Sequence, residues 1–422
     1  MMSKNSLKIL LKTLGPGLLY AGAAIGVSHL VQSTRAGAMY HFDLVWILIL
    51  ANLLKYPFFE FGPRYATATG NSLVDGYARI GKWAVVLFAL LTVLSMFIIQ
   101  AAVTVVTAGL LAFIFHITIN ITVLSVVVLL LSVIFLLSGK YSALDRLIKL
   151  IIVLLALSTI VAVFAALGIH HEITPDMIRH FKWNHAADIF FLIAFVGWMP
   201  APIDVSVWSS VWNLEKNREL GYMPKMKTAL LDFKIGYFGT AILALGFLTL
   251  GALVMYGTGE ELSSKGVKFA EQLINMYTQS IGNWSFWIIS IAAFMTMFST
   301  TITVLDAYSR VLHPIVRLVF PGLWERQRNK EKLKWFWYVL IIAGAAFILV
   351  FATSSMVQMV TLATTLSFLT APILAWLNYK VVTDRHMPEK DRPGMFLRIL
   401  SWIGIVFFTV FSFVYLYWKY LA

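Results

Sequence analysis

Two glycines, a serine and a histidine sit inside an apolar stretch where a plain membrane helix has no use for them. The stretch runs from Gly15 to Ala38 and carries Gly22, Gly26, Ser28 and His29, with Arg35 further on. Glycine allows close backbone approach, the hydroxyl both donates and accepts, and imidazole is a ligand or, near neutral pH, a proton carrier. Irregular backbone at membrane depth is tolerated only where protein buries it or where it lines a cavity. A second apolar run shares the pattern, with Gly197, Met199, Pro200, Ala201, Pro202 and Asp204 in close succession. Proline there removes a helix hydrogen bond and clashes with the preceding turn. The chemistry on offer is a binding site at two broken helices, with carbonyls, an imidazole, a thioether and a carboxylate. The plainer reading is a pair of kinked structural spans, since glycine is common in membrane helices.

The elements that must position these residues are membrane spans, each needing about 20 mostly apolar residues. Eleven segments qualify: 14–40, 43–67, 83–115, 121–138, 146–169, 187–211, 232–257, 284–310, 335–352, 354–378 and 395–421. The ninth and tenth meet at Thr353, which calls for a tight hairpin. With a cytoplasmic N-terminus, 26 of the 33 Lys and Arg residues fall on the cytoplasmic side and five on the other; Arg35 and Lys55 lie within spans. That asymmetry follows the positive-inside rule and puts the C-terminus on the opposite side. The basic segment Met1 to Lys12 reads as a cytoplasmic lead-in, not a cleaved signal peptide. The breaks fall in spans one and six, corresponding positions of two five-span halves, which is the pattern of inverted-repeat transporters. The expected organisation is one membrane domain over 1–422, with repeats at 14–169 and 187–378 and an added helix at 395–421.

Composition agrees. Of the 422 residues 60% are hydrophobic and 13% charged, with mean hydropathy +0.82; soluble domains carry about 25% charged residues. The chain reads as an all-helical, multi-pass integral protein of a bacterial inner or plasma membrane. It has no cysteine, which excludes disulfides and thiolate metal sites. The net charge of +13 sits in the loops between spans and so sets orientation in the bilayer; it does not point to nucleic acid. No cofactor is called for, and oligomeric state is not legible.

Several residues carry a resemblance to the Nramp family of proton-coupled divalent-metal transporters. They are Gly15-Pro16, Arg35-Ala36-Gly37-Ala38 with Tyr40, Trp46, Ala51-Asn52-Leu53, Thr69-Gly70 and Met199-Pro200. The resemblance implies a LeuT-like 5+5 inverted repeat working by alternating access. It also implies a metal site made by an Asp-Pro-Gly-Asn motif in span one and a methionine in span six. Here Gly26 stands at the metal-binding aspartate and His29 at the asparagine, while Met199 is kept. Ala201 replaces the family's usual histidine, and span three offers Gln100, Thr104 and Thr107 where the family carries acids.

This pattern is that of a site rebuilt for other chemistry. His29 and Met199 still offer nitrogen and sulfur to a soft cation, and Asp204, about one turn past Met199, supplies a replacement carboxylate. Candidate substrate-binding residues are therefore Gly22, Gly26, Ser28, His29, Met199, Ala201 and Asp204. The metal ligands among them are His29, Met199 and Asp204, and the proton or charge pathway is His29, Arg35, Lys55 and Asp204. The first expectation is an Nramp-like cation carrier with possible proton coupling. The second is a carrier of a non-metal polar or anionic solute, with Trp198 and Trp208 walling a larger pocket. A membrane receptor or enzyme ranks last, for want of a large extramembrane domain. Glu60 with Arg64, and Asp306 with Arg310, have the i,i+4 spacing of ordinary helix pairs. Thr364 and Thr365 are read as bonding back to their own helix. His170, His171, His180 and His185 read as solvated loop residues, since their spacing is too loose for zinc.

Overall fold

The structure, a computed structural model, describes residues 15–138, 141–169, 177–326, 330–351 and 355–421. Among these there is helix and no strand. Seven helices are long and apolar enough to cross a membrane, and three shorter apolar helices accompany them. Length and composition alone thus mark fewer spans than the eleven expected, partly because the broken spans are divided into short pieces. The hairpin expected at Thr353 lies outside the described residues, as do Met1 to Lys12, His170 and His171.

The first span is in three pieces. Helix α1 (Pro16–Ala24) stops at Ile25, a π-helical segment (Ser28–Ser33) follows, and α2 (Thr34–Tyr40) completes it. Helix α3 (Val45–Thr69) ends on Gly70, whose φ of 69° is the left-handed cap that glycine adopts without strain. Next come α4 (Leu73–Ile80), α5 (Lys82–Ile114), α6 (Ile121–Leu137) and α7 (Tyr141–Ala166). The sixth expected span is α8 (Ala186–Trp198) and α9 (Val205–Leu220), separated by non-helical backbone with a cis Met199-Pro200 bond. The rest are α10 (Met226–Val254), α11 (Gly266–Ile281), α12 (Phe286–Val319), α13 (Pro321–Arg326), α14 (Lys330–Phe351), α15 (Met356–Thr383) and α16 (Met395–Tyr420).

Each broken span is held by an intact one. The pieces of the first lie along α10; α8 packs on α15 and α9 on α3. Small residues permit this closeness: a Cβ on Gly37 would strike the Leu248 carbonyl, and one on Gly251 the Thr34 carbonyl. Helix α10 also caps α1. The Asp232 carboxylate accepts from the Gly17 N–H at 2.7 Å and the Gly15 N–H at 3.2 Å, satisfying donors that a helix start leaves free.

Candidate functional site

The break in span one is a local change of hydrogen-bond partner. Ile25 has φ −76° and ψ 83°, and the Gly26 N–H bonds the Ala24 carbonyl at 2.9 Å, so the Gly22 carbonyl loses its usual partner. Thr300 on α12 replaces it. Its hydroxyl lies 3.1 Å from the Gly22 oxygen and 3.3 Å from the Ile25 oxygen. Gly26 packs against the same threonine: a Cβ there would stand 2.8 Å from Oγ1 and 2.9 Å from Cγ2. Any side chain at the family's aspartate position would therefore displace Thr300.

In span six the freed carbonyls find a cation. Lys55 of α3 is fully buried, and its ammonium donates to the oxygens of Val196 (2.7 Å), Gly197 (2.8 Å) and Ala201 (3.0 Å). Three N–H donors meet three acceptors, so the geometry suits the charged ammonium at the carbonyl end of a half-helix. Lys55 is thus a built-in cation at the break.

A small cavity lies where the two breaks meet, with about 20 Å³ of room for the centre of a water-sized sphere. Ala24, Val27 and Ser28 line it from span one, Trp198, Ala201 and Trp208 from span six, and Thr300 from α12; none of the lining residues is ionisable. The two hydroxyls are already engaged: Ser28 with the Ala24 carbonyl and His29, Thr300 with the carbonyls above.

The candidate residues separate accordingly. Ser28 and Ala201 do line the cavity, with the two expected tryptophans. His29 has both ring nitrogens occupied, one 2.7 Å from the Ser28 hydroxyl and the other 2.9 Å from the Thr240 carbonyl on α10. Met199 is fully buried and is not among the cavity's lining residues. Asp204 faces a different cavity, and Tyr308 donates to its Oδ2 at 3.2 Å. Arg35 reaches Gln32 and lies over the Phe191 ring. Sequence reasoning placed His29, Met199 and Asp204 around one ion; the wall of the cavity at the breaks has none of the three, and that of the second cavity has Asp204 alone. Among the described residues no group of three or more His, Asp or Glu is placed to hold a metal ion.

Other expectations match the structure. Arg64 pairs with Glu60 and Arg310 with Asp306, each at 2.5 Å. Thr364 bonds back to the Thr361 carbonyl. His180 and His185 are exposed to solvent, beside Asp43 and Asp188. Asp188 is a residue that sequence reasoning missed. Its carboxylate gathers the Tyr40 hydroxyl (2.9 Å), Arg179 (2.7 Å) and the Lys182 N–H (3.0 Å), tying the end of span one to the start of α8. An acid in the first turn of α8 after a basic, histidine-bearing loop was the available signal.

A bundle with two interrupted helices meeting at a central cavity is a membrane transporter architecture, and comparison with known proteins agrees. The chain belongs to the Nramp family: the family described as "Natural resistance-associated macrophage protein-like" matches residues 17–418. It is 40% identical over 408 residues to the uncharacterised protein PM0681 of Pasteurella multocida (strain Pm70), covering 96% of this chain and 91% of that one. Among solved structures it resembles a mutant of the Eremococcus coleocola manganese transporter, with TM-score 0.66 at 13% identity over 98% of this chain and 88% of that chain. It also resembles Mhp1, a nucleobase-cation-symport-1 family transporter in a closed conformation with bromovinylhydantoin bound. There the TM-score is 0.60 at 13% identity, over 96% of this chain and 92% of that chain. These likenesses establish the LeuT-like fold.

Proposed function

We propose that this membrane transporter is a secondary carrier for a small, uncharged organic solute, which binds between Ala24 and Val27 on one side and Trp198 and Trp208 on the other. The carrying observation is the cavity wall, which has no ionisable side chain where the two breaks meet. A dication at that depth needs a compensating carboxylate, because charge within the bilayer is costly unless paired. Gly26 supplies none, Asp204 lies elsewhere, and the nearby Lys55 ammonium adds positive charge. A neutral solute needs apolar walls and a few polar contacts, and aromatic side chains supply both.

On this reading the eleven spans form two inverted five-span repeats and an added helix, with the N-terminus cytoplasmic. Alternating access runs through rearrangement at Gly26 and Met199-Pro200. The second reading is transport of a divalent metal. It rests on family membership, on the likeness to a manganese transporter, and on Met199 kept at the break.

The test is thermal stabilisation of the purified carrier by a panel of small neutral heterocycles and amides. Stabilisation by one of them, lost when Ala23→Leu fills the cavity, is the expected result. No response to the panel, together with stabilisation by Mn²⁺, would contradict it.

A further inference from the structure

Asp204 is the acid of span six, yet it is not part of the central cavity. It is 8% exposed, and its Oδ1 is buried with no hydrogen-bond partner. An orphaned carboxylate oxygen at this depth is expensive, and it calls for a proton or a cation. The carboxyl group borders a second, smaller cavity, with about 10 Å³ of room for the centre of a water-sized sphere, between α5, α15 and the head of α9. Four hydroxyl residues share that wall: Thr92 and Ser95 on α5, and Ser367 and Thr370 on α15.

The hydrogens of three of these hydroxyls are accounted for. Ser95 donates to the Thr92 carbonyl at 3.3 Å, Ser367 to the Ala363 carbonyl at 2.9 Å and Thr370 to the Ser367 carbonyl at 3.1 Å. Ser367 also accepts from the Trp198 indole N–H at 2.8 Å; each hydroxyl has one hydrogen and two lone pairs, so lone pairs remain to serve the cavity. The donors beside the carboxyl group are the Tyr308 hydroxyl, on Oδ2, and the N–H groups of Asp204 and Val205, none of which bonds Oδ1. The wall thus sets four hydroxyl oxygens and one carboxylate among apolar neighbours such as Phe88, Leu91 and Leu374.

We propose that Asp204 Oδ1, with the hydroxyls of Thr92, Ser95, Ser367 and Thr370, is the site of one monovalent cation, a sodium ion or a proton, separate from the solute cavity. Hard oxygen ligands suit such an ion, and a single carboxylate balances a single charge. The ionisable groups that act on Asp204 are Lys55, Tyr308 and Tyr77. Tyr308 and Tyr77 are neutral near pH 7, whereas the Lys55 ammonium opposes a second positive charge. That opposition keeps the site exchangeable, as a coupling ion must be. Ala201, whose carbonyl Lys55 holds, and Asp204 both belong to the segment around the span six break. Filling the site therefore bears on the same backbone that walls the solute cavity. The site stands whichever solute the carrier moves.

The experiment is the unfolding temperature of the purified full-length protein in sodium chloride against choline chloride, at several pH values. Sodium is expected to raise it saturably, with no such rise in Asp204→Asn. Thr92→Val, which keeps the carboxylate, is expected to weaken the apparent sodium affinity roughly tenfold. If the wild type ignores sodium but gains stability on acidification, and Asp204→Asn loses that gain, the proton is the ligand. If neither sodium nor pH separates the wild type from Asp204→Asn and Thr92→Val, the proposal is overturned.

Discussion

The ammonium of Lys55 lies 2.7 Å from the carbonyl oxygen of Val196, and it holds the neighbouring oxygens of Gly197 and Ala201 as well. One side chain of α3 thus closes the carbonyl end of α8. Replacing it by methionine keeps the volume and leaves the Gly197 and Ala201 carbonyls without that donor, while Val196 keeps the Met199 N–H at 3.2 Å. Lys55→Met is expected to cost about 3 kcal/mol or more, read as a lower unfolding temperature and less monodisperse protein in detergent. Lys55→Arg should not rescue it, because a planar fork cannot converge on three carbonyls around one point. Wild-type stability in Lys55→Met would remove the built-in cation from the account.

Gly26 and Thr300 are predicted to be coupled. Gly26→Asp restores the family's acid but drives its Cβ into Thr300, so the single variant should be destabilised. Adding Thr300→Ala should recover part of the loss. A double-mutant cycle on unfolding temperature or denaturant midpoint is expected to give a coupling of about 1 kcal/mol or more. Strict additivity would mean that the two residues do not share space.

Asp232 is predicted to hold the head of α1 from α10. Asp232→Ala should cost about 1 kcal/mol, the usual value of a lost helix cap. Amide exchange at Gly17 should quicken, while exchange in the interior of α12 stays slow. Unchanged exchange at Gly17 would show that the cap contributes nothing.

The Asp188 cluster is predicted to latch the end of span one to α8. The chain has no cysteine, so a single introduced thiol reports access cleanly. With Ala23→Cys at the cavity wall, adding Asp188→Asn should speed labelling from the Asp188 side roughly fivefold or more, the factor for about 1 kcal/mol. Equal rates in both backgrounds would leave the cluster a purely local contact.

The two breaks were legible because glycine and proline carry their backbone consequences in the sequence: Gly26 sits at the first interruption, Pro200 and Pro202 at the second. The pairs Glu60–Arg64 and Asp306–Arg310 were legible because helix spacing alone brings them together. Lys55 was read as a charge beside the site, but its partners come from residues about 140 positions further along the chain, which local pattern does not reach. Asp204 was placed with Met199 on the strength of one helical turn. The backbone between them is not helical, so the carboxylate leaves the central cavity and meets α5 and α15 instead. The π-helical start of the segment after Gly26, which turns His29 toward Thr240, left no signature in residue type.

Calorimetric titration of the purified wild-type protein with Mn²⁺ tests the central claim most directly. A cavity wall without charge, an occupied His29 and an Asp204 outside that wall predict no saturable heat. Saturable binding that disappears in Met199→Ala and His29→Ala would contradict the account and place the metal at the two breaks after all.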